Sequence, residues 1–352
     1  MIQAAQIESL IRANIRELTP YRSARDDFHE GVLLDANENS YGSPIRHELA
    51  LNRYPDPLQN ELREAIADFR QVEKDHVFTG VGSDEPIDLL IRIFCEPGND
   101  SILITPPTYG MYKVSANINN VNVQEVQLDE TFQPDAGEIL SRADDSVKLI
   151  FLCSPNNPTG NDYDRTEILK LLELFNGIVV VDEAYIDFSR QESMAGLIAQ
   201  YPNLVVLQTL SKSFGLAGIR LGIALSSPLI NRYLLRVKAP YNVNKLTAQA
   251  ALEAFDYFDL VRINIEEIKK ERERLAKGLG DIPAVETVFP SQANFLLFRI
   301  KNAHDVYRKL AEKGMIIRYR GDQPGCEECL RATVGLPDEN DRLIRLIREV
   351  TK

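Results

Sequence analysis

The stretch Gly-Ile-Val-Val-Val-Asp-Glu-Ala-Tyr, residues 177–185, reads as one strand of a parallel sheet buried on both faces. Its apolar run shows no alternation, and its polar residues gather at the carboxyl end, beginning with Asp182. A second run, Asn-Leu-Val-Val-Leu-Gln-Thr-Leu at 203–210, leads straight into Lys212. In open α/β sheets, ligands bind beyond the carboxyl ends of the strands. Asp182 and Lys212 therefore fall where a ligand site forms.

Working outward, further strands are expected at 101–105, 147–153 and 221–225, beside those at 178–182 and 203–208. Helical periodicity lies between them at 84–95, 165–175 and 193–200. This alternation predicts an α/β fold whose large domain is a mostly parallel sheet covered by helices on both faces. After Pro240 the texture changes. A long charged helical stretch at 245–279 ends near Gly278 and Gly280, and strand-like segments at 294–300 and 330–334 alternate with helices near 303–313 and 338–351. That reads as a smaller α+β C-terminal domain. Residues 1–18 read as an amphipathic helix or arm. The expected division is a segment 1–30 packing on the small domain, a large ligand-binding domain at 31–240, and the small domain at 241–352.

Chemistry concentrates at residues 211–222, Ser-Lys-Ser-Phe-Gly-Leu-Ala-Gly-Ile-Arg-Leu-Gly. A lysine amine becomes a covalent catalyst when it forms a Schiff base with an aldehyde, and pyridoxal phosphate is the common aldehyde cofactor. Ser211 and Arg220 are donors of the type its phosphate needs, and Asp182 can pair with its protonated ring nitrogen. The run Thr-Gly-Val-Gly-Ser-Asp-Glu at 79–85 leads into an apolar-periodic helix, so backbone N–H groups near Ser83 and Asp84 would point at an anion. The side chains of Asp84 and Glu85 are expected to turn outward, where they favour the helix dipole. Position 85 is not glycine, so a dinucleotide-binding fingerprint is not supported.

With these features stand Ser-Pro-Asn-Asn-Pro-Thr-Gly at 154–160, Thr-Pro-Tyr-Arg-Ser-Ala-Arg at 19–25 and Leu-Asp-Ala-Asn-Glu-Asn at 34–39. Asn-Arg-Tyr-Pro-Asp at 52–56, Gly-Ser-Asp-Glu at 82–85 and Pro-Pro-Thr-Tyr-Gly-Met-Tyr at 106–112 follow. Gly-Met-Ile-Ile-Arg at 314–318 and Cys-Leu-Arg-Ala-Thr-Val-Gly at 329–335 complete the set. From about residue 19 onward the chain resembles the fold-type-I pyridoxal-phosphate aminotransferases, and among them the histidinol-phosphate aminotransferases.

The resemblance implies an amino transfer between glutamate and imidazole-acetol phosphate, giving histidinol phosphate and 2-oxoglutarate, with Lys212 as the catalytic base. It implies that Ser211, Arg220, the Ser83–Asp84 turn and Tyr54 hold the cofactor phosphate, Tyr54 reaching in from the partner subunit of a homodimer. Tyr109 would stack on the ring, and Asn157 and Tyr185 would bond its phenolic oxygen. Arg331 is the main candidate for the substrate anion, supported by Arg318 and Tyr21, with Arg320 and Arg22 nearby in sequence. An aromatic aminotransferase, a threonine-phosphate decarboxylase and a non-catalytic ligand sensor on the same fold remain as alternatives.

Composition bounds the partners. The net charge of −12 over 352 residues argues against nucleic acid or an anionic membrane, so an anionic ligand needs a local arginine cluster. Four cysteines, at 95, 153, 326 and 329, form neither a disulfide framework nor a four-ligand zinc site and suit a reducing cytoplasm. No metal site is expected. None of the four histidines, at 29, 47, 76 and 304, falls in a motif, which fits a lysine base. No apolar run approaches the roughly 18 residues that a membrane span requires.

Overall fold

The computed structural model describes residues 2–21, 23–27 and 31–352. Its larger sheet has seven strands, built from β1 (Val77–Val81), β2 (Ser101–Ile104), β3 (Asn122–Glu125), β4 (Val147–Cys153), β5 (Ile178–Asp182), β6 (Leu204–Thr209) and β7 (Leu221–Ser226). Their order across the sheet is β1-β7-β6-β5-β4-β2-β3. β7 runs antiparallel to both its neighbours, and the other pairings are parallel.

Burial on both faces explains the unbroken apolar runs. Along β5 and β6, Val179, Val181, Leu204 and Val206 face one core, and Ile178, Val180, Val205 and Leu207 face the other. Helices Asn60–Arg70, Ala136–Arg142 and Arg165–Leu174 cover the first side through Leu62, Ile66, Ile139, Ile168 and Leu171. Helices Asp84–Phe94, Met111–Ile118 and Pro228–Val237 cover the second through Ile87, Leu90, Tyr112, Ile230 and Leu234. Each such side chain contributes roughly 1.5–3 kcal/mol when fully buried, so the two slabs hold the sheet rigid beneath its carboxyl rim.

A second sheet has the order β10-β11-β9-β8, from β8 (Val285–Val288), β9 (Phe295–Ile300), β10 (Arg318–Tyr319) and β11 (Cys329–Thr333). Leu296, Phe298, Leu330 and Ala332 point from it into a core closed by Leu275, Val306, Leu310 and Ile347 of the covering helices.

Several elements differ from the sequence reading. β1, β3, β8 and β10 are additional strands. β3 and β8 are partly exposed edge strands with polar residues and β10 is only two residues long, while β1 is buried but its apolar run is broken by Thr79 and Gly80. The expected helix at 193–200 is a short 3₁₀ turn, Met194–Leu197, capped by Ser193. The buried Glu183 accepts from the Met194 amide at 2.7 Å and from the Ser193 hydroxyl, pulling this turn tight. The stretch 245–279 breaks at Tyr257 into helices Lys245–Asp256 and Phe258–Gly280. The first packs under the large sheet through Ala251.

The N-terminal segment corrects an expectation. Helices Ala4–Leu10 and Ala13–Arg16 lie on the large unit, not the small one. Ile7, Ile11 and Ile15 are buried with Ile87, Phe94 and Tyr233, the Arg12 amide donates to Ile93 O at 3.0 Å, and Tyr233 donates to Glu8 at 3.1 Å. Among the described residues, no helix is long and apolar enough to cross a membrane.

One close approach is set by glycine. In β7, Gly222 faces Gly80 of β1, and the backbone of Gly82 and Ser83 lies directly over it. A Cβ at Gly222 would stand 2.1 Å from the Gly82 carbonyl carbon. Gly222→Ala is expected to cost at least about 2 kcal/mol of stability, read as a lower midpoint in denaturant titration. An unchanged midpoint would mean the loop yields freely.

Candidate active site

β5 and β6 run side by side, with Asp182 opposite Leu207, so Asp182 and the Ser211–Lys212 segment emerge at the same rim. They open on one cavity lined by Ser83, Asp84, Tyr109, Asn157, Tyr185 and Arg220, and also by Thr209, Ala217, Ala184 and Cys153. Arg220 reaches this rim because β7 is reversed and begins where its parallel neighbours end.

Asp182 is only 2% exposed. Burial pushes its carboxyl up to about 6, against the opposing pull of a 2.7 Å bond from the Tyr112 hydroxyl and a 3.1 Å bond from the Ala184 amide. Lys212 stands 5.5 Å over the Tyr185 ring. Burial lowers the basicity of its amine, the positive charge of Arg331 adds to that, and Asp182 opposes it. Burial also raises the Tyr109 and Tyr185 hydroxyls, so both stay neutral donors.

The turn expected to cradle an anion lies at the amino end of the Asp84–Phe94 helix, which begins after Ser83. Gly82 has φ +69°, and a Cβ there would lie 2.6 Å from the Arg220 guanidinium. The Gly82 amide donates to Arg220 O at 2.7 Å, tying the turn to β7. Ser211 is fixed by its 3.1 Å amide bond to the Thr209 hydroxyl. The Asp84 side chain does not turn outward as expected. It accepts from Tyr109 at 3.1 Å and lies 3.5 Å from Arg220, because these two donors offer it partners inside the cavity. Glu85 does turn away, to the Val81 amide and to Asn242.

The small sheet contributes Arg331. Its guanidinium crosses to donate to Asn157 Oδ1 and stacks 5.1 Å from the Phe295 ring. Burial and then the Arg320 charge push it down to about 10. Arg318 lies opposite it in the ladder and is exposed.

Arg318 and Arg331 do not themselves line this cavity, and two further expected residues stand well apart from it. Tyr54 is half-exposed and stacks on Tyr241 at 4.6 Å, beside a separate groove lined by Glu38, Arg53 and Lys245. Glu38 fixes it there by accepting from the Tyr54 amide at 2.6 Å and from Arg25 and Arg53. Burial of Glu38 opposes ionisation, but these donors hold its carboxyl down at about 2. Tyr21 is 71% exposed, in a groove with Arg236 and Tyr241. Arg22 and His29 lie outside the described residues.

The sequence reading gave no role to Tyr112. Its ring stacks on Phe151 at 4.8 Å while its hydroxyl holds Asp182. Tyr109 lies just before the helix Met111–Ile118 that carries Tyr112, and the two rings meet edge to face at 5.5 Å.

A family model described as "Aminotransferase class I and II" matches residues 30–347. The chain belongs to that family, and its cofactor is pyridoxal phosphate. It is 49% identical over 346 residues to a histidinol-phosphate aminotransferase of Parabacteroides distasonis, covering 98% of this chain and 99% of that one. Among solved structures, the histidinol-phosphate aminotransferase from Clostridium acetobutylicum superposes with a TM-score of 0.79 at 27% identity, over 85% of this chain and 91% of that chain. The Sinorhizobium meliloti histidinol-phosphate aminotransferase in complex with pyridoxal-5'-phosphate shares the fold, with a TM-score of 0.78 at 22% identity, over 85% and 83% of the two chains.

The residues present fit this cofactor. A buried carboxylate with no cation bonded to it among the described residues, an amine of lowered basicity and a glycine-walled turn beside Arg220 converge on one cavity.

The raised carboxyl of Asp182 has a consequence without cofactor. Folding then favours the protonated acid, so apoprotein stability falls as pH rises from about 4 to about 6 and stays low above. Asp182→Asn removes this component. In denaturant titrations the variant apoprotein is expected to match the original at pH 4 and exceed it at pH 7 by up to about 3 kcal/mol. Parallel pH profiles would refute the assignment.

Proposed function

We propose that this chain transfers an amino group between glutamate and imidazole-acetol phosphate, giving histidinol phosphate and 2-oxoglutarate in histidine biosynthesis. The observation that carries the reading is that Asp182 and Lys212 line one cavity, with Arg331 bonded to Asn157 in its wall. It is supported by the near full-length likeness to histidinol-phosphate aminotransferases.

Pyridoxal phosphate supplies a carbonyl that takes up the amine and a ring that accepts electron density. Lys212 is the catalytic residue, moving the proton on and off the substrate Cα; burial and the Arg331 charge lower its basicity, which raises its share of free amine. Asp182 would pair with the ring nitrogen and keep it protonated. Tyr109 would pack against the ring, and Asn157 and Tyr185 would bond its phenolic oxygen. Ser211, Arg220 and the amides of Ser83 and Asp84 would receive the phosphate. Arg331 takes the substrate anion, carboxylate or phosphate ester, in bidentate fashion, with Arg318 at the rim.

The working unit in this proposal is a cytoplasmic homodimer, in which the partner subunit's Tyr54 completes the phosphate site. Support comes from the exposure of Tyr54 and from its rigid mounting on Glu38. Tyr21 belongs with the same composite site, at its substrate side. Mixing Lys212→Ala with Tyr54→Ala protein tests this. Hybrid dimers hold one intact site, so activity is expected to rise above that of either parent; no rise on mixing would refute a shared site.

The reaction itself is tested by adding histidinol phosphate to cofactor-loaded protein and following the cofactor's visible absorption. The lysine-bound band is expected to disappear and to return with 2-oxoglutarate, whereas Lys212→Ala protein shows neither change. A band that histidinol phosphate leaves unmoved would reject the substrate, and release of carbon dioxide would identify a decarboxylase instead.

A further inference from the structure

Lys212 is gripped through both of its neighbours. On one side the Thr209 hydroxyl accepts from the Ser211 amide at 3.1 Å and lies 2.9 Å from the Ser211 hydroxyl. On the other side the Ser213 hydroxyl donates to Asp187 Oδ2, while Asp187 Oδ1 accepts from Arg70 at 2.9 Å. Ser213 is buried, and the side chains of Arg70 and Asp187 are mostly covered. Each oxygen of the carboxylate thus has its own donor, and both bonds are of the strong, charge-assisted kind.

The pieces come from separate parts of the chain. Asp187 sits in the 3₁₀ turn Ile186–Phe188, two residues after Tyr185. Arg70 ends the helix Asn60–Arg70, with its guanidinium 4.5 Å over the Phe69 ring. Phe69 meets Phe214 at 5.6 Å, and Phe214 also meets Phe255 and Phe258. The residue after Ser213 is therefore seated in an aromatic cluster on the same side as the carboxylate's anchor.

This tie begins where the ladder between β5 and β6 ends. The last backbone bond there runs from the Glu183 amide to Leu207 O at 2.8 Å. Among the described residues, no backbone bond joins 184–188 to 210–216. Yet Tyr185 and Lys212 stand on those two segments, with the amine 5.5 Å over the ring. A group that transfers protons works only from the right position, and a misplacement of about 1 Å can cost on the order of 100-fold.

We propose that Asp187 is a positioning residue: anchored by Arg70, it holds Ser213 and thereby keeps the Lys212 amine buried against Tyr185. The proposal deepens the assignment of Lys212 as the base and rests on it. Burial lowers the basicity of that amine, Arg331 and Arg220 add to this, and Asp182 and Asp84 oppose it. Releasing Ser213 leaves all four charges in place and changes only the burial, because the freed segment lets the amine reach water.

Two measurements test this. Competitive acetylation of the apoprotein across pH, read by peptide mass spectrometry, gives the titration of the Lys212 amine. Ser213→Ala and Asp187→Ala are each expected to move its midpoint up by about half a unit, whereas Ser213→Thr, which keeps the hydroxyl, should restore the original midpoint. In cofactor-loaded protein, Ser213→Ala should slow the half-reaction with histidinol phosphate about 5- to 50-fold, with KM changed less than about threefold. The Ser213→Ala/Asp187→Ala double variant should be no slower than Asp187→Ala, since the two residues act through one bond. An unmoved titration in both alanine variants, or losses that multiply in the double variant, overturns the proposal, as does lowered stability with rate and titration intact. If Lys212→Ala protein still turns over, the base assignment falls instead, and the acetylation profile alone still decides whether Asp187 sets the amine.

Discussion

The site depends on a carboxylate kept out of water. Asp182 ends a strand buried on both faces, so its charge is desolvated by the same packing that stabilises the sheet. Tyr112 and the Ala184 amide answer part of that cost, and the positive charge of Lys212 answers a little more. None is a full counter-charge in contact. A protonated ring nitrogen would be, which makes a cationic heterocycle the natural complement of this position. The surrounding aromatic side chains exclude water and so strengthen that pairing.

Charge is organised on two scales. The whole molecule is acidic, yet Lys212, Arg220, Arg320 and Arg331 gather around one cleft with Asp84 and Asp182 set among them. The global field opposes an approaching anion and the local one favours it. Any affinity for phosphate or carboxylate groups would therefore rest on short-range contacts, where low dielectric strengthens each guanidinium. Salt, which screens mainly exposed charges, should act weakly on these half-buried groups.

The sequence was most legible where burial is complete. β4 to β7 announce themselves through apolar runs, and the rim residues Asp182, Ser211, Lys212 and Arg220 follow from where those runs end. Elements stabilised from outside themselves were silent. β10 exists because β11 lies beside it, and the helix expected at 193–200 yields to the carboxylate of Glu183. The N-terminal isoleucines announced an amphipathic helix but not which surface they cover. The orientation of Asp84 was hidden for a related reason: it is decided by Tyr109 and Arg220, respectively 25 and 136 residues away. Arg331 carried a clear residue type, whereas its contact with Asn157 is a product of how the two sheets meet.

The reversal of β7 has one more consequence. In a wholly parallel sheet, each strand delivers one chain end to the binding rim, and the return path spends a helix on the far side. Here the chain leaves β6, makes a short excursion through Ser211, Lys212 and Arg220, and re-enters the sheet at once as β7. Ser211, Lys212 and Arg220, the residues proposed to anchor the cofactor and hold its phosphate, are thus encoded as one contiguous cassette between adjacent strands. Their spacing is fixed by a hairpin rather than by the mutual docking of distant elements, so it does not depend on where the small sheet sits.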